Sequence, residues 1–214
     1  MLTVTRVLAP LTSAALALAL SACADAPAKP TRPAGPPGVT RASEVYGPRC
    51  NDMPKSGPGS AEQMASQPAG TAIGTTPLLT RTDIQFRLGG LDQVLNKTDT
   101  GYTVFAPVGS AFEPLSHVHG LDQLPVDPKA ALKAVLNYHV VPKRYSADEL
   151  VPAGAMRTLE GAPITVSGDG LDLSIGAQHA KVLCGNIPTA NATVFVIDQV
   201  LLPPISSMAV LPPN

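Results

Sequence analysis

Histidines and cysteines are the residues of this chain whose types could bind a metal or act as bases or nucleophiles. His117 and His119 flank a single residue, and on a strand their two imidazoles would share a face and could bind a metal. No Cys or Glu lies nearby at ligand spacing, and Pro114 and Gly120 indicate a loop. We therefore expect surface histidines here and no metal site.

No enzyme motif accompanies these residues. None of the serines lies in a G-x-S-x-G elbow, and neither glycine-rich phosphate-binding pattern occurs. Asp198 is of a catalytic type, but its place in a predicted strand favours a structural hydrogen bond. His139 follows a predicted buried helix, where a histidine ring commonly bonds a backbone carbonyl, and a role in binding is the alternative. We expect a non-catalytic protein without a cofactor.

The start of the chain has the pattern of an export signal. Arg6 precedes an apolar run over residues 7–20 that is short for a membrane span. The run ends in LSAC, which matches the bacterial lipobox and places Cys23 at the lipidated position. We predict a lipoprotein signal peptide over residues 1–22, lipid attachment at Cys23, and a membrane-anchored protein at the cell surface. The alternative is an ordinary signal peptide and a free thiol at Cys23.

The two other cysteines are predicted to form a disulfide. Cys50 and Cys184 are an even pair in an exported chain, which is typical of a bridge. The chain has no C-x-x-C pattern that would suggest a metal or redox site, and two unpaired thiols are the alternative. A bridge would close a loop of about 130 residues, which the chain-entropy model values at roughly 4–5 kcal/mol.

Composition limits the partners and predicts a linker. The chain has 15 Lys and Arg against 16 Asp and Glu with no basic stripe, so we do not expect nucleic acid as a partner. Prolines recur over residues 23–44 without apolar periodicity, which predicts an extended flexible linker. Thr31 and Thr40 lie among these prolines, in a context for O-glycosylation. Residues 45–76 are predicted to be an N-terminal extension that packs on the domain, with a short helix capped by Ser60.

The remaining chain changes from helical periodicity to alternation. Helices are predicted at residues 60–66, 77–88, 91–96 and 127–138. From residue 155 onwards, alternating strands are predicted at 156–159, 164–167, 171–175, 181–184 and 193–200, with a hairpin at 168–170. Helices followed by strands indicate an α+β fold.

Three segments resemble the signatures of the fasciclin domain, in the family's order. Residues 102–112 read YTVFAPVGSAF, a strand ended by Pro107, and are similar to the family form TVFAPTNxAF. Residues 136–141, LNYHVV, resemble the central Tyr-His box, and residues 192–203, ATVFVIDQVLLP, resemble the closing strand. The resemblance covers roughly residues 77–204 and leaves 205–214 as a C-terminal tail.

At single positions the chain both departs from the family pattern and matches it. The family more often has Thr-Asn or Thr-Asp where this chain has Val108 and Gly109, so we expect a weaker cap on the helix that follows, with Ser110 as the capping residue. The chain is most similar to the small secreted and lipid-anchored fasciclin antigens of mycobacteria and related actinobacteria. These share a G-P-x-C and a V-x-C-G, matched here at Cys50 and Cys184, and the resemblance supports their pairing.

Membership of this family implies a fold and a function. The fold is a single wedge-shaped β-sandwich of about seven strands with flanking helices. The function is adhesion to or recognition of a protein, matrix component or glycan, through Tyr138, His139 and Val140 and the loops around residues 102–112. A carrier for an apolar lipid or pigment is the alternative. A hydrolase would need a Ser-His-Asp constellation, of which the sequence has no ordered hint.

Overall fold

The computed structural model describes residues 36–113 and 127–208. Cys23, Thr31, His117 and His119, together with residues 1–22, lie outside these ranges, and so do the predictions made for them. No helix in the described ranges is long and apolar enough to cross a membrane.

Short helices surround one sheet in the described part of the chain. The α-helices are α1 (Ala61–Met64), α2 (Ala69–Ile73), α3 (Thr80–Leu88), α4 (Leu91–Leu95), α5 (Pro128–Tyr138), α6 (Ala147–Ala153) and α7 (Ile205–Met208). Single 3₁₀ turns occur at Ala42–Glu44, Cys50–Asp52, Pro77–Leu79 and Gly109–Phe112. The strands are β1 (Tyr102–Pro107), β2 (Val140–Val141), β3 (Ala155–Arg157), β4 (Pro163–Asp169), β5 (Asp172–Ile175), β6 (Ala180–Pro188) and β7 (Ala192–Ile197).

Two of the three expected helix caps form. Ser60 Oγ accepts from Gln63 N–H at 3.3 Å, and Asp127 Oδ2 accepts from Ala130 N–H at 3.0 Å. The expected cap at Ser110 is wrong. The 3₁₀ turn begins one residue after Val108, which has no side-chain acceptor, and Ser110 lies inside the turn.

The seven described strands form one mixed sheet in the order β2-β1-β7-β6-β5-β4-β3. The β1–β7 pair is parallel and the other pairs are antiparallel. Leu159 N–H donates to Val140 O at 2.8 Å, so the chain just after β3 meets β2 and the sheet nearly closes on itself. This mixed architecture with flanking helices confirms the predicted α+β fold.

Strands β1 and β7 separate two hydrophobic clusters. Along each strand alternate side chains enter opposite clusters: Val104 and Val194 face the helices, whereas Phe105 and Phe195 face the interior of the curved sheet. Every residue of both strands is buried. Burial on both faces explains why these two segments read as continuous apolar runs rather than as an alternating pattern.

Strand β2 and the helices α2 and α6 lie between the predicted segments and were not predicted. Strand β2 has only two residues, too few to show a period. Helix α6 contains Pro152, which argues against a helix in sequence reading. Its start is nevertheless well satisfied, because Glu149 Oε2 accepts from the N–H and hydroxyl of Ser146, and Asn186 Oδ1 accepts from Ala147 N–H.

The segment 36–44 packs against the domain, so the predicted linker over 23–44 is wrong at its C-terminal end. Gly38 N–H donates to Glu149 Oε1 at 3.2 Å, and Gly38 O accepts from Thr193 Oγ1 at 2.7 Å. The segment docks mainly through its backbone, which a search for apolar periodicity does not detect.

Close packing of this segment has two consequences. A Cβ at residue 38 would lie 2.2 Å from Arg144 O, and φ there is +75°, so glycine is required at Gly38. Thr40 is only 4% exposed and its Oγ1 lies 3.5 Å from Thr193 Oγ1. O-glycosylation at Thr40 is therefore a wrong expectation.

A disulfide joins Cys50 to Cys184 across a sequence separation of 134 residues. Cys50 starts a 3₁₀ turn, and Cys184 lies fully buried in β6. Backbone hydrogen bonds hold the preceding residues to the same strand. Tyr46 N–H donates to Gly185 O at 3.2 Å, and Gly185 N–H donates to Tyr46 O at 2.7 Å. The extension before the domain is thus held to β6 by a covalent bond and a short backbone bridge.

Replacing both Cys50 and Cys184 with Ala is expected to lower the free energy of unfolding by up to roughly 4–5 kcal/mol, because the unfolded chain gains the entropy of an open loop. Urea denaturation of the variant and of the wild type measures the difference. A thiol titration of the unfolded, unreduced chain carrying Cys23→Ala is expected to detect no free thiol. Two free thiols per chain would contradict the bridge.

Candidate binding groove

The predicted binding surface at the Tyr-His box lies inside the protein. Tyr138 is 4% exposed, and His139 and Val140 are fully buried. Tyr138 ends α5 and donates its hydroxyl to Pro163 O at 3.1 Å, while Val140 is in β2 between β1 and Leu159. The expectation that these three residues contact a partner is therefore wrong, because the chain buries them where α5 joins the sheet.

His139 has a structural role that its hydrogen bonds define. Its Nδ1 lies 2.7 Å from Val135 O, which can only accept, and its Nε2 accepts from Leu201 N–H at 2.9 Å. The ring is therefore neutral with its proton on Nδ1. Burial lowers the pKa of His139 from 6.5 to about 4, because the charged ring would lose its hydration. His139 links the end of α5 to the segment after β7.

Two further residues of catalytic type, His179 and Asp198, make contacts that do not form an acid–base arrangement. His179 Nδ1 lies 3.5 Å from Ser174 Oγ at the surface, and no described carboxylate contacts that ring to orient it. Asp198 has the predicted structural role, since its Oδ1 accepts from Lys181 N–H at 2.7 Å. Residues 36–113 and 127–208 contain no group of three or more His, Cys, Asp or Glu side chains placed to hold a metal ion.

An open groove lies between α3 and the turn that follows β1. Its volume is about 590 Å³, larger than two other grooves of 290 and 420 Å³ that described residues line. Its apolar walls come from Leu78, Ile84 and Val108, and the turn contributes Gly109 and Ser110. Part of the predicted surface around residues 102–112 is therefore exposed here. We call this feature the α3 groove.

Two contacts fix the geometry of the α3 groove. Thr82 donates its hydroxyl to Pro107 O, which ties the buried face of α3 to the end of β1. Val108 N–H donates to Ile197 O at 2.9 Å, which continues the β1–β7 pairing into the turn. The groove thus has a helix as one wall and the end of the central strand pair as the other, both held by buried hydrogen bonds.

The outer face of α3 adds an exposed apolar surface beside the groove. Ile84 is 51% exposed and Leu88 is 63% exposed, while Thr82 and Phe86 on the opposite face are buried. Residues two apart on a helix are separated by about 200°, and residues four apart share a face. Ile84 and Leu88 therefore form an aliphatic pair that the described residues leave uncovered.

Charge around the α3 groove is mostly neutralised by local pairs. Arg49 Nε lies 2.7 Å from Asp52 Oδ2, and Arg87 Nε lies 2.9 Å from Asp83 Oδ2. The hydrogen bond and attraction to Asp83 raise the pKa of Arg87 above its usual range. Arg81 lines the groove without an ion pair to any described residue. The groove therefore combines aliphatic walls with one cationic side chain.

Sequence reasoning did not find the α3 groove. The prediction of a helix at 77–88 does not distinguish a buried apolar face from an exposed one. The spacing contained a usable signal, because Ile84 and Leu88 lie four residues apart on the face opposite to Phe86. When a helix has apolar residues on two opposite faces, the fold can bury one face and leave the other exposed.

His139 makes stability depend on pH. Between pH 6.5 and 4 the unfolded chain binds a proton that the folded chain does not, so stability is full above pH 6.5 and falls as the pH decreases. The loss at this site is about 3 kcal/mol at pH 4. His139→Ala is expected to lower the free energy of unfolding at pH 7.5 by about 2–4 kcal/mol and to flatten this pH dependence.

Denaturant titrations from pH 7.5 to pH 4 test this expectation. His179→Asn is the matched control, because His179 is exposed and Asn tolerates its φ of 54°. The control is expected to keep both the stability and the pH dependence of the wild type. An unchanged pH dependence in His139→Ala would refute the assignment.

Comparisons with known proteins agree with this fold. The sequence model of the Fasciclin domain matches residues 81–203. Immunogenic protein MPB70 of Mycobacterium bovis is 38% identical over 170 residues, covering 76% of this chain and 84% of that protein. Cell surface glycolipoprotein MPB83 of the same species is 41% identical over 152 residues, covering 69% of this chain and 66% of that protein.

A solved structure has the same fold. The FAS1 domain pair of the insect cell adhesion molecule Fasciclin I matches with a TM-score of 0.55 at 16% identity, covering 66% of this chain and 52% of that one. By the extent of the sequence match and the identity to its relatives, the chain belongs to the fasciclin domain family.

Proposed function

We propose that this protein is a lipid-anchored, non-catalytic adhesion or recognition protein of the bacterial cell surface, which binds a macromolecule through the α3 groove. The observation that carries the proposal is the aliphatic pair Ile84 and Leu88, exposed beside the α3 groove. Exposed apolar surface next to a groove marks a site for a partner more often than an isolated exposed side chain does.

The distribution of exposed apolar residues supports this choice of surface. Four large hydrophobic side chains are exposed among the described residues, namely Ile84, Leu88, Val151 and Leu171. Ile84 and Leu88 share a helix face, whereas Val151 is on α6 at 37% exposure and Leu171 is in the β4–β5 turn. Among the described residues, the α3 groove is thus the place where two exposed aliphatic side chains share one face beside a groove.

The proposed location rests on the sequence and the relatives. The lipobox at Cys23 supports lipid attachment, and the relative MPB83 is a cell surface glycolipoprotein. The segment from residue 36 onwards is docked on the domain, so that part of the linker predicted from composition does not act as a free spacer. Export also agrees with a disulfide in the folded domain.

A carrier for an apolar small molecule is supported less well. The α3 groove and the two other grooves compared with it above are open to solvent, whereas a carrier encloses most of the surface of its ligand. The two hydrophobic clusters are built from fully buried side chains on both faces of β1 and β7. These features favour recognition at the surface over storage in the interior.

Adhesion through the α3 groove is tested with the mature chain carrying Cys23→Ala, screened against matrix proteins and envelope glycans. For any saturable ligand, the double variant Ile84→Ser, Leu88→Ser is expected to bind roughly ten-fold more weakly, because two aliphatic contacts are lost. Its thermal unfolding is expected to stay close to that of the wild type, since both side chains are exposed.

Leu171→Ser is the matched control, because Leu171 has the same 51% exposure as Ile84 and lies on the β4–β5 turn. It is expected to leave binding unchanged. Equal loss of binding in the control and the double variant would contradict a role for the α3 groove. Native mass spectrometry that detects a retained lipid or pigment would favour the carrier.

Lipid anchoring is tested by Cys23→Ala in the native host. The variant is expected to move from the membrane fraction to the soluble exported fraction, because it lacks the thiol that carries the acyl chains. Quantitative immunoblotting of both fractions measures the shift, with the Thr31→Ala variant as a control for changes within the predicted linker. Unchanged fractionation of Cys23→Ala would exclude the anchor.

A further inference from the structure

A space beside Arg81 is left open at Gly109. A Cβ at Gly109 would have one neighbour within 4 Å, the Cβ of Arg81 at 3.7 Å, which is an ordinary contact distance. The backbone at Gly109 does not have positive φ, so the fold does not require glycine there. The missing side chain therefore opens room in the α3 groove next to the side chain of Arg81, which also lines the groove.

Among the arginines at the α3 groove and on α3, Arg81 is the one without an ion pair to a described carboxylate. Arg49 and Arg87 are each paired with an aspartate one turn away. Arg81 makes no ion pair or side-chain hydrogen bond with any residue in 36–113 or 127–208. An exposed guanidinium in a concave site is a ready partner for a carboxylate, which it binds through two parallel N–H donors.

We infer that the α3 groove binds an acidic protein segment in which a carboxylate is adjacent to an aliphatic side chain. The carboxylate pairs with Arg81 in the space left by Gly109. The aliphatic side chain packs on Ile84 and the wall formed by Leu78 and Val108. This inference rests on the proposed function, since it names the partner of the same groove.

The composition of the groove favours a peptide over an acidic glycan. Its lining has no aromatic side chain, on which a sugar ring would stack, and its apolar walls are aliphatic. Aliphatic walls pack well against Leu, Ile or Val side chains, and the contact removes apolar surface of both from water. The single unpaired cation matches one carboxylate rather than the repeated charges of a polyanion.

A side chain added at position 109 tests this assignment from within the chain. An Asp there would place a carboxylate beside the Arg81 side chain, in the space that the partner's carboxylate takes. The variant Gly109→Asp is therefore expected to fold normally and to compete with an acidic ligand for Arg81.

The test is an NMR titration of the ¹⁵N-labelled mature chain carrying Cys23→Ala with two capped peptides, acetyl-Leu-Asp-Leu-amide and acetyl-Leu-Asn-Leu-amide. The peptides differ by one charge and have nearly the same size. We expect the acidic peptide to shift the amide signals of Gly109 and Ser110 and to bind roughly five-fold more tightly than its neutral analogue at low salt. The preference is expected to decrease as ionic strength rises.

Two variants separate the charge from the shape of the groove. Arg81→Gln and Gly109→Asp are each expected to abolish the preference for the acidic peptide while the remaining spectrum stays that of the folded chain. Arg157→Gln, at an exposed arginine of β3, is the control and is expected to keep the full preference.

Several results would overturn the inference: equal binding of both peptides, no binding of either, shifts located away from α3 and the Gly109–Phe112 turn, or a preference retained in Arg81→Gln. Saturable shifts of the same groove by a hyaluronan tetrasaccharide but by neither peptide would also overturn it, in favour of a glycan. In each case, adhesion that still depends on Ile84 and Leu88 would leave the proposed function standing.

Discussion

The parallel pairing of β1 with β7 is the constraint on which the rest of this domain depends. Parallel neighbours cannot be joined by a hairpin, so the other five described strands and two helices lie in the connection between them. Both strands are buried on both faces, and each contributes alternate side chains to two separate clusters. The helices on one side and the curved sheet on the other are therefore packed against the same two strands.

Buried polar side chains attach the loops to this strand pair. His139 joins the end of α5 to Leu201 after β7. Asn191, just before β7, accepts from Ala69 N–H and donates to Leu95 O and Lys97 O, so one amide holds two helices beside the strand. Each of these groups is satisfied by backbone partners, which is the condition under which a buried polar group stabilises rather than destabilises a fold.

The sequence was sufficient for the parts of the fold that depend on local chemistry. The caps at Ser60 and Asp127, the strands at the two signature segments and the α+β class follow from residue types and spacing. Strand β2 is too short to show a period, and its place depends on pairing with β1. Helix α6 has a local capping box between Ser146 and Glu149, but Pro152 hides the helix in sequence reading, and the tertiary hydrogen bond from Ala147 N–H to Asn186 Oδ1 helps to fix its start. The 36–44 segment was missed because it docks through its backbone.

The binding site was less predictable than the fold. The Tyr-His box is a recognisable motif, and its residues are buried because they form the junction between α5 and the sheet. The residue types of this motif are those that the packing of α5 against the sheet requires. The motif therefore does not indicate that its side chains are exposed to a partner. The α3 groove arises where a helix with two apolar faces meets a turn that has a glycine, and only the tertiary arrangement places Arg81 next to Gly109.

The bridge between Cys50 and Cys184 also determines how the domain responds to mechanical force. A pull on the chain at Pro36 first loads the hydrogen bonds of Gly38 to Glu149 and Thr193. Peeling then proceeds only as far as Cys50, which releases roughly 50 Å of extended chain. Beyond that point the load passes through a covalent bond to β6 at the centre of the sheet. The tension therefore enters the sheet at a covalent attachment one strand away from β7, whose pairing with β1 continues into the turn that forms one wall of the α3 groove.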